Sequence, residues 1–144
     1  MNVPYVMLVD DEVPFVETMT KRLEKRNVKV ITAFSGHDAL TTVANHQNLD
    51  VVILDVKMPG MDGLETLKEI KKKFPLLEVV MLTGHATVES AIEGMKLGAF
   101  DYLMKPCDME QLMGKVNEAT CKKRDHEEKI REAQVKEILA KRGF

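Results

Sequence analysis

Acidic, hydroxyl and amino side chains stand where short apolar runs stop. VDDE places Asp10, Asp11 and Glu12 after the run Tyr5 to Val9, ILDVKMPG places Asp55 after Val51 to Leu54, LTGH places Thr83, and MKP places Lys105. Two carboxylates about 4 Å apart repel by roughly 4 kcal/mol at an effective dielectric of 20, so a cluster of three must keep a proton or take a cation. A small all-oxygen site suits Mg²⁺, which retains several of its own waters and readily shares a ligand with a phosphate. Lys105 would add a positive point charge and Thr83 a hydroxyl donor to an incoming phosphoryl group. These are the parts of a phosphoryl-transfer site, where catalysis is mostly positioning and charge neutralisation. Asp55 is the candidate nucleophile and needs no general base, because an aspartate is already ionised at neutral pH.

Singly, each residue has a plainer explanation. A strand-end aspartate is ordinarily a turn residue or helix cap, and a lone threonine or lysine says less. The weight lies in their arrangement on successive strand ends, which depends on the elements that carry them.

Those elements alternate. The apolar runs predict strands at Tyr5 to Val9, Lys29 to Phe34, Val51 to Leu54, Glu78 to Leu82 and Asp101 to Met104. Amphipathic segments between them predict helices over Pro14 to Lys25, Gly36 to His46, Gly63 to Lys73, Val88 to Leu97 and from Met109 onward. Ser35 and Asp62 are placed as N-caps, Pro75 as a stop and Gly98 as a left-handed C-cap. Strands and helices in strict alternation imply a parallel sheet covered on both faces, an open, doubly wound α/β domain. Ligands of such sheets collect beyond the carboxyl ends of the strands, where these acids, the threonine and the lysine would converge.

Composition narrows the class. With 144 residues the chain is one domain of ordinary size, with enough interior for a core. A net charge of -2 gives no general affinity for nucleic acid or an anionic membrane. No apolar run reaches the ~18 residues of a membrane span, and no signal peptide opens the chain. Cys107 and Cys121 lack metal-type spacing, so reduced thiols in a cytoplasmic protein are expected.

VDDE, LDVKMPGMDGLE and LTGHATVESAIEGMKLGAFDYLMKP, at their spacing, resemble the receiver domain of bacterial two-component response regulators. The longest of these stretches looks most like receivers of ATPase-type, NtrC-like transcriptional activators. The resemblance implies a flavodoxin-like (βα)5 sandwich with strand order 2-1-3-4-5. It implies that Asp55 accepts a phosphoryl group from a phosphohistidine on a sensor histidine kinase or phosphotransfer protein. Mg²⁺ would be held by Asp11 and Asp55, by Asp10 through water, and by the backbone carbonyl of Lys57. Thr83 and Lys105 match the phosphate-contacting hydroxyl and lysine, and the Lys105–Pro106 bond is expected to be cis.

Tyr102 matches the switch aromatic of the family; otherwise it is an ordinary half-buried strand residue. Phosphorylation would draw Thr83 toward the phosphoryl oxygens and open space for Tyr102. The surface of the helix Val88 to Leu97, the strand Asp101 to Met104 and the last helix then changes shape. Lys57 and His85 stand two residues after Asp55 and Thr83, where the attacking water for dephosphorylation must pass; basic groups there could shield it or orient it. Cys107 departs from the family, where an aromatic is common.

The receiver is expected over 1–120, with a charged helical extension or linker over 121–144. Ile130, Ala133, Ile138 and Leu139 make a thin apolar stripe there and not a clean heptad. That helix, or the surface around Tyr102, could pair two copies, or the helix could lead into an output domain outside this chain. The basic patch Lys122, Lys123 and Arg124 is too small to argue DNA binding. Two other readings compete. An aspartate-nucleophile Mg²⁺-dependent phosphatase would use the same chemistry, but resembles a pattern with a second acid where Lys57 stands here. A degenerate receiver acting as a scaffold is disfavoured because every phosphate-handling position is occupied.

Overall fold

A computed structural model describes residues 3–143. Its elements run β1 (Tyr5–Val9), α1 (Val13–Glu24), β2 (Lys29–Ala33), α2 (Gly36–Asn45), β3 (Val51–Leu54), α3 (Gly63–Lys73), β4 (Glu78–Thr83), α4 (Val88–Lys96), β5 (Asp101–Met104) and α5 (Met109–Lys141). The five strands form one parallel sheet in the order β2-β1-β3-β4-β5. β1, β3 and β4 are buried along their whole length, as continuous Val, Ile and Leu runs require when both faces are covered. Side-chain alternation sends Val6 and Leu8 toward Val16, Leu23, Leu112 and Val116 on one face. Met7 and Val9 go toward Ala39, Val43, Leu67 and Ile70 on the other.

Register aligns the strand ends. Val9 pairs with Leu54, so Asp10 and Asp55 follow side by side; Thr83 pairs with Met104, so Lys105 emerges next to Thr83. The caps are made by side chains. Ser35 Oγ accepts from Asp38 N, Asp62 Oδ1 from Glu65 N, and Asp108 Oδ1 from Glu110 N. Gly98, at φ +101°, turns the chain out of α4. Several boundaries differ from the sequence expectation by a residue: β2 stops at Ala33, the ladder of β4 continues through Thr83, α1 begins and ends one residue earlier, and α2 and α4 each stop one residue sooner.

α5 is 33 residues long and continues well past the sheet. Its first half packs through Leu112, Val116 and Ala119. It is then clamped by charge. Buried Asp50 accepts the Tyr5 N–H at 2.9 Å and two guanidinium bonds from Arg124 at 3.0 and 2.8 Å, and Lys123 lies 3.5 Å away. Arg124 also donates to the Val3 carbonyl, and Lys122 lies 3.2 Å from buried Glu78. The cations that look in sequence like a small basic patch thus tie the helix to the sheet. Arg124→Ala leaves Asp50 short of its bidentate partner and is expected to cost about 2–3 kcal/mol in a urea titration; a change below about 0.5 kcal/mol contradicts the clamp.

Beyond the clamp the helix is exposed and laced by short ion pairs, Asp125–Lys129, Glu128–Arg131 and Glu137–Lys141. Val135 joins Ile130, Ile138 and Leu139 as its exposed apolar residues. Among the described residues, no helix is long and apolar enough to cross a membrane.

Candidate functional site

The loops after β1, β3, β4 and β5 bring the acids, threonine and lysine to one edge of the sheet. Asp10, Asp11 and Asp55 each offer a carboxylate oxygen within 4.8 Å of the others. Asp10 and Asp55 are only 1% and 2% exposed, while Asp11 faces solvent. Backbone bonds fix the first two: the Asp10 N–H donates to the Ala33 carbonyl and the Asp55 N–H to the Val9 carbonyl, continuing the sheet beyond its last ladder residues. Asp10 Oδ1 also accepts the Glu12 N–H at 2.9 Å.

Lys105 is the counter-charge. Its N–H donates to the Thr83 carbonyl, and the peptide bond to Pro106 is cis. Its ammonium lies 2.6 Å from Asp10, 3.5 Å from Glu12 and 3.8 Å from Asp55. It also stands 3.9 Å from the centre of the Phe15 ring, within cation–π range. Phe15 carries no motif of its own, and Glu12, the last residue of VDDE, has no role assigned to it by that motif. They belong to the site only because the entry to α1 lies beside a lysine some 90 residues later, a contact that local patterning does not encode.

Burial pushes the Asp55 carboxyl above its ordinary range. The Thr83 hydroxyl pulls against this, Asp10 adds to the rise, and Lys105 and the Val56 backbone oppose it. Burial alone would lower the Lys105 pKa, but the hydrogen bond and charge of Asp10, with Asp55 and Glu12, raise it overall. Thr83 is fully buried, and its hydroxyl accepts the His85 N–H at 3.0 Å. Asp55 Oδ1 has no hydrogen-bond partner among the described residues. A buried carboxylate oxygen without a donor, beside two further acids, fits a divalent cation better than any neutral ligand.

The turn after Asp55 holds it in place. Met58 is buried, Gly60 adopts φ +73°, and the Gly63 N–H reaches back to the Val56 carbonyl at 2.6 Å. Lys57 and His85 line an open cleft of about 420 Å³ with Asp11, Glu12, Met58 and Pro59. Tyr102 lies one strand position before Leu103, half-buried against the core, with its hydroxyl 2.5 Å from Ser90 Oγ. The sequence-derived set therefore divides in two. Asp10, Asp11, Asp55, Thr83 and Lys105 meet at the sheet edge, Lys57 and His85 border its cleft, and Tyr102 faces α4.

The response regulator receiver domain family matches residues 6–117. The chain belongs to that family. As a receiver it is similar to the transcriptional regulatory protein ZraR of Salmonella typhimurium, 38% identical over 120 residues, which cover 83% of this chain and 27% of ZraR. It is similar to the DNA-binding transcriptional regulator NtrC of the same organism, 35% identical over 79% of this chain and 24% of NtrC. A solved receiver domain protein from Clostridium thermocellum superposes with a TM-score of 0.81 at 37% identity, covering 85% of this chain and 98% of that one. The receiver thus spans about a quarter of the length of the curated relatives. Receivers bind Mg²⁺ at an acidic pocket, and the three-aspartate cluster is such a pocket here.

Proposed function

We propose that this receiver takes a phosphoryl group onto Asp55 from a phosphohistidine of a sensor histidine kinase or phosphotransfer protein. The observation that carries the reading is the buried Asp55 carboxylate, with Oδ1 unpartnered, between an acidic cluster and the Lys105 ammonium. Asp11, Asp55 and the Lys57 backbone carbonyl would hold Mg²⁺, with Asp10 reaching it through water. Bound there, the ion would neutralise the acids and draw in a phosphoryl oxygen. An Asp55 oxygen attacks phosphorus, the new O–P bond forms as the P–N bond breaks, and the departing imidazole takes its proton from solvent. Lys105, already 3.8 Å from Asp55, pairs with one phosphoryl oxygen, and Thr83 turns its hydroxyl to another.

Loss of the Thr83 hydroxyl from its resting position opens space toward which Tyr102 rotates. The face of α4, β5 and α5 changes with it. Val88, Ile92 and Met95 on α4 and Met104 on β5 are exposed there, which supports a docking role for this face. A second copy, or an output domain joined through α5, is the partner proposed. Lys57 and His85 at the cleft set the lifetime of the acyl phosphate, and a basic Lys57 in place of a second acid disfavours many-turnover phosphatase chemistry. Intact mass after incubation with acetyl phosphate tests the reading. One hydroxylamine-labile phosphoryl group that requires Mg²⁺ and is lost with EDTA is expected; no adduct contradicts it.

A further inference from the structure

The switch reading gives Tyr102 a destination, toward Thr83, but the structure also shows what restrains it before phosphorylation. α4 begins at the N-cap Thr87, whose Oγ1 accepts the Ser90 N–H at 3.0 Å while Ser90 Oγ accepts the Thr87 N–H at 3.1 Å. This is a capping box in which a serine stands where a glutamate or glutamine is usual. Ser90 Oγ lies 3.1 Å from the Thr87 carbonyl and 2.5 Å from the Tyr102 hydroxyl as well.

A serine hydroxyl has one proton and two acceptor sites. The Tyr102 O–H takes one site, the Thr87 N–H and the Thr87 hydroxyl, 3.0 Å from Ser90 Oγ, share the other, and the serine proton goes to the Thr87 carbonyl. In that arrangement every hydrogen-bonding capacity of Ser90 is used. The aromatic ring is held by the same helix one turn on. The ring lies alongside Gly94, where an added Cβ would stand 3.5 Å from Tyr102 Cδ2, an ordinary contact distance. Tyr102 thus lies against α4 at positions 90 and 94, which share one helical face, and is hydrogen-bonded at the first of them.

We infer that Ser90 is a positioning residue for the switch: its bond to Tyr102 ties the rotamer of the tyrosine to the first turn of α4 and weights the receiver toward its phosphoryl-free packing. This inference rests on the proposed role of Tyr102. Rotation of Tyr102 toward Thr83 must break the Ser90 bond, and only one of the two packings makes it. A hydrogen bond of ordinary net strength changes a two-state ratio by about fivefold. Loosening the latch raises the fraction ready to accept a phosphoryl group and lowers the concentration of ligand needed.

The test is a beryllofluoride titration in Mg²⁺, a non-covalent stand-in for the phosphoryl group, read on the Thr83 and His85 amide resonances of the full chain. Ser90→Ala and Tyr102→Phe are each expected to lower the midpoint about fivefold, the double variant no further, and Ser90→Thr to restore the wild-type value. Thr87→Ala removes the cap but leaves the Ser90–Tyr102 pair, so it is expected to weaken α4 without that shift. A midpoint unchanged within twofold in Ser90→Ala, or an equal shift in Thr87→Ala, overturns the latch while leaving the phosphoacceptor reading intact. A wild-type chain that binds no beryllofluoride overturns both.

Discussion

Asp55→Asn is expected to abolish phosphoryl uptake and, in the absence of divalent cations, to make the protein more stable than wild type at neutral pH. An amide is no nucleophile toward phosphorus, so the first effect is complete. The second follows from the raised pKa of Asp55, caused first by burial. When the folded state holds a carboxyl above its unfolded pKa, the unfolded chain gives up the proton first. No difference exists below the ordinary value of 3.8, where both states are protonated. Stability then falls as pH climbs through the raised pKa, and the deficit is fully present above it. Asparagine has no such deficit. A higher Tm than wild type is expected at pH 7, the difference shrinking toward zero in acid. Millimolar Mg²⁺ should close the gap by stabilising only the wild type. Thermal scans across pH, with and without Mg²⁺, check both parts; curves for the two proteins that run parallel from acid to neutral pH contradict them.

Gly63→Ala is expected to produce the largest structural effect of any single methyl added to the site. Its Cβ would stand 1.9 Å from the Asp55 carbonyl oxygen and 2.7 Å from both the Asp55 carbonyl carbon and Val56 Cα. Those are backbone atoms, so no side-chain rotation relieves the clash. The start of α3 and the phosphoacceptor turn must separate, and with them goes the Gly63 N–H bond to Val56. Overpacking of this kind costs about 3 kcal/mol or more. Displacing the Asp55 turn by about 1 Å is expected to slow phosphorylation by acetyl phosphate about 100-fold in the molecules that remain folded. Gly60→Ala is the comparison. Its φ of +73° costs an alanine about 1 kcal/mol, but no atom lies within 4 Å of the added carbon. If Gly63→Ala proves no more harmful than Gly60→Ala in urea unfolding and in phosphorylation rate, the close packing of α3 on Asp55 does not position the site.

Much of this was legible in the amino-acid order because the chemistry sits where local patterns break. A run such as Val51 to Leu54 declares a buried strand, and a carboxylate placed directly after it has few roles. Asp10, Thr83 and Lys105 follow the same rule on other strands, so the sheet edge could be assembled from strand ends alone. Caps were legible for the same local reason: Ser35 and Asp62 precede their helices and accept from the third residue onward.

Tertiary contacts were not legible. Asp50 stands at the opposite end of β3 from Asp55, and its partner Arg124 is 74 residues away, so Lys122 to Arg124 looked like a surface patch. Phe15 and Glu12 meet Lys105 only because its long side chain reaches across the sheet edge to the entry of α1. Nothing local to Ser90 shows that its hydroxyl meets Tyr102 across to the neighbouring strand. The 33-residue reach of α5 was visible as uninterrupted helix-forming sequence, whereas its point of attachment was not.

The function turns on which atom takes the phosphoryl group. The most direct measurement is borohydride reduction of the chain after reaction with acetyl phosphate and Mg²⁺, followed by peptide mapping. Reduction of an acyl phosphate converts the aspartate that carried it to homoserine and marks its position. Homoserine at position 55, absent without Mg²⁺ and absent in Asp55→Asn, is the predicted result. Homoserine at position 10 or 11, or a phosphorylated chain with no reducible acyl phosphate, would contradict the assignment of Asp55 as the acceptor.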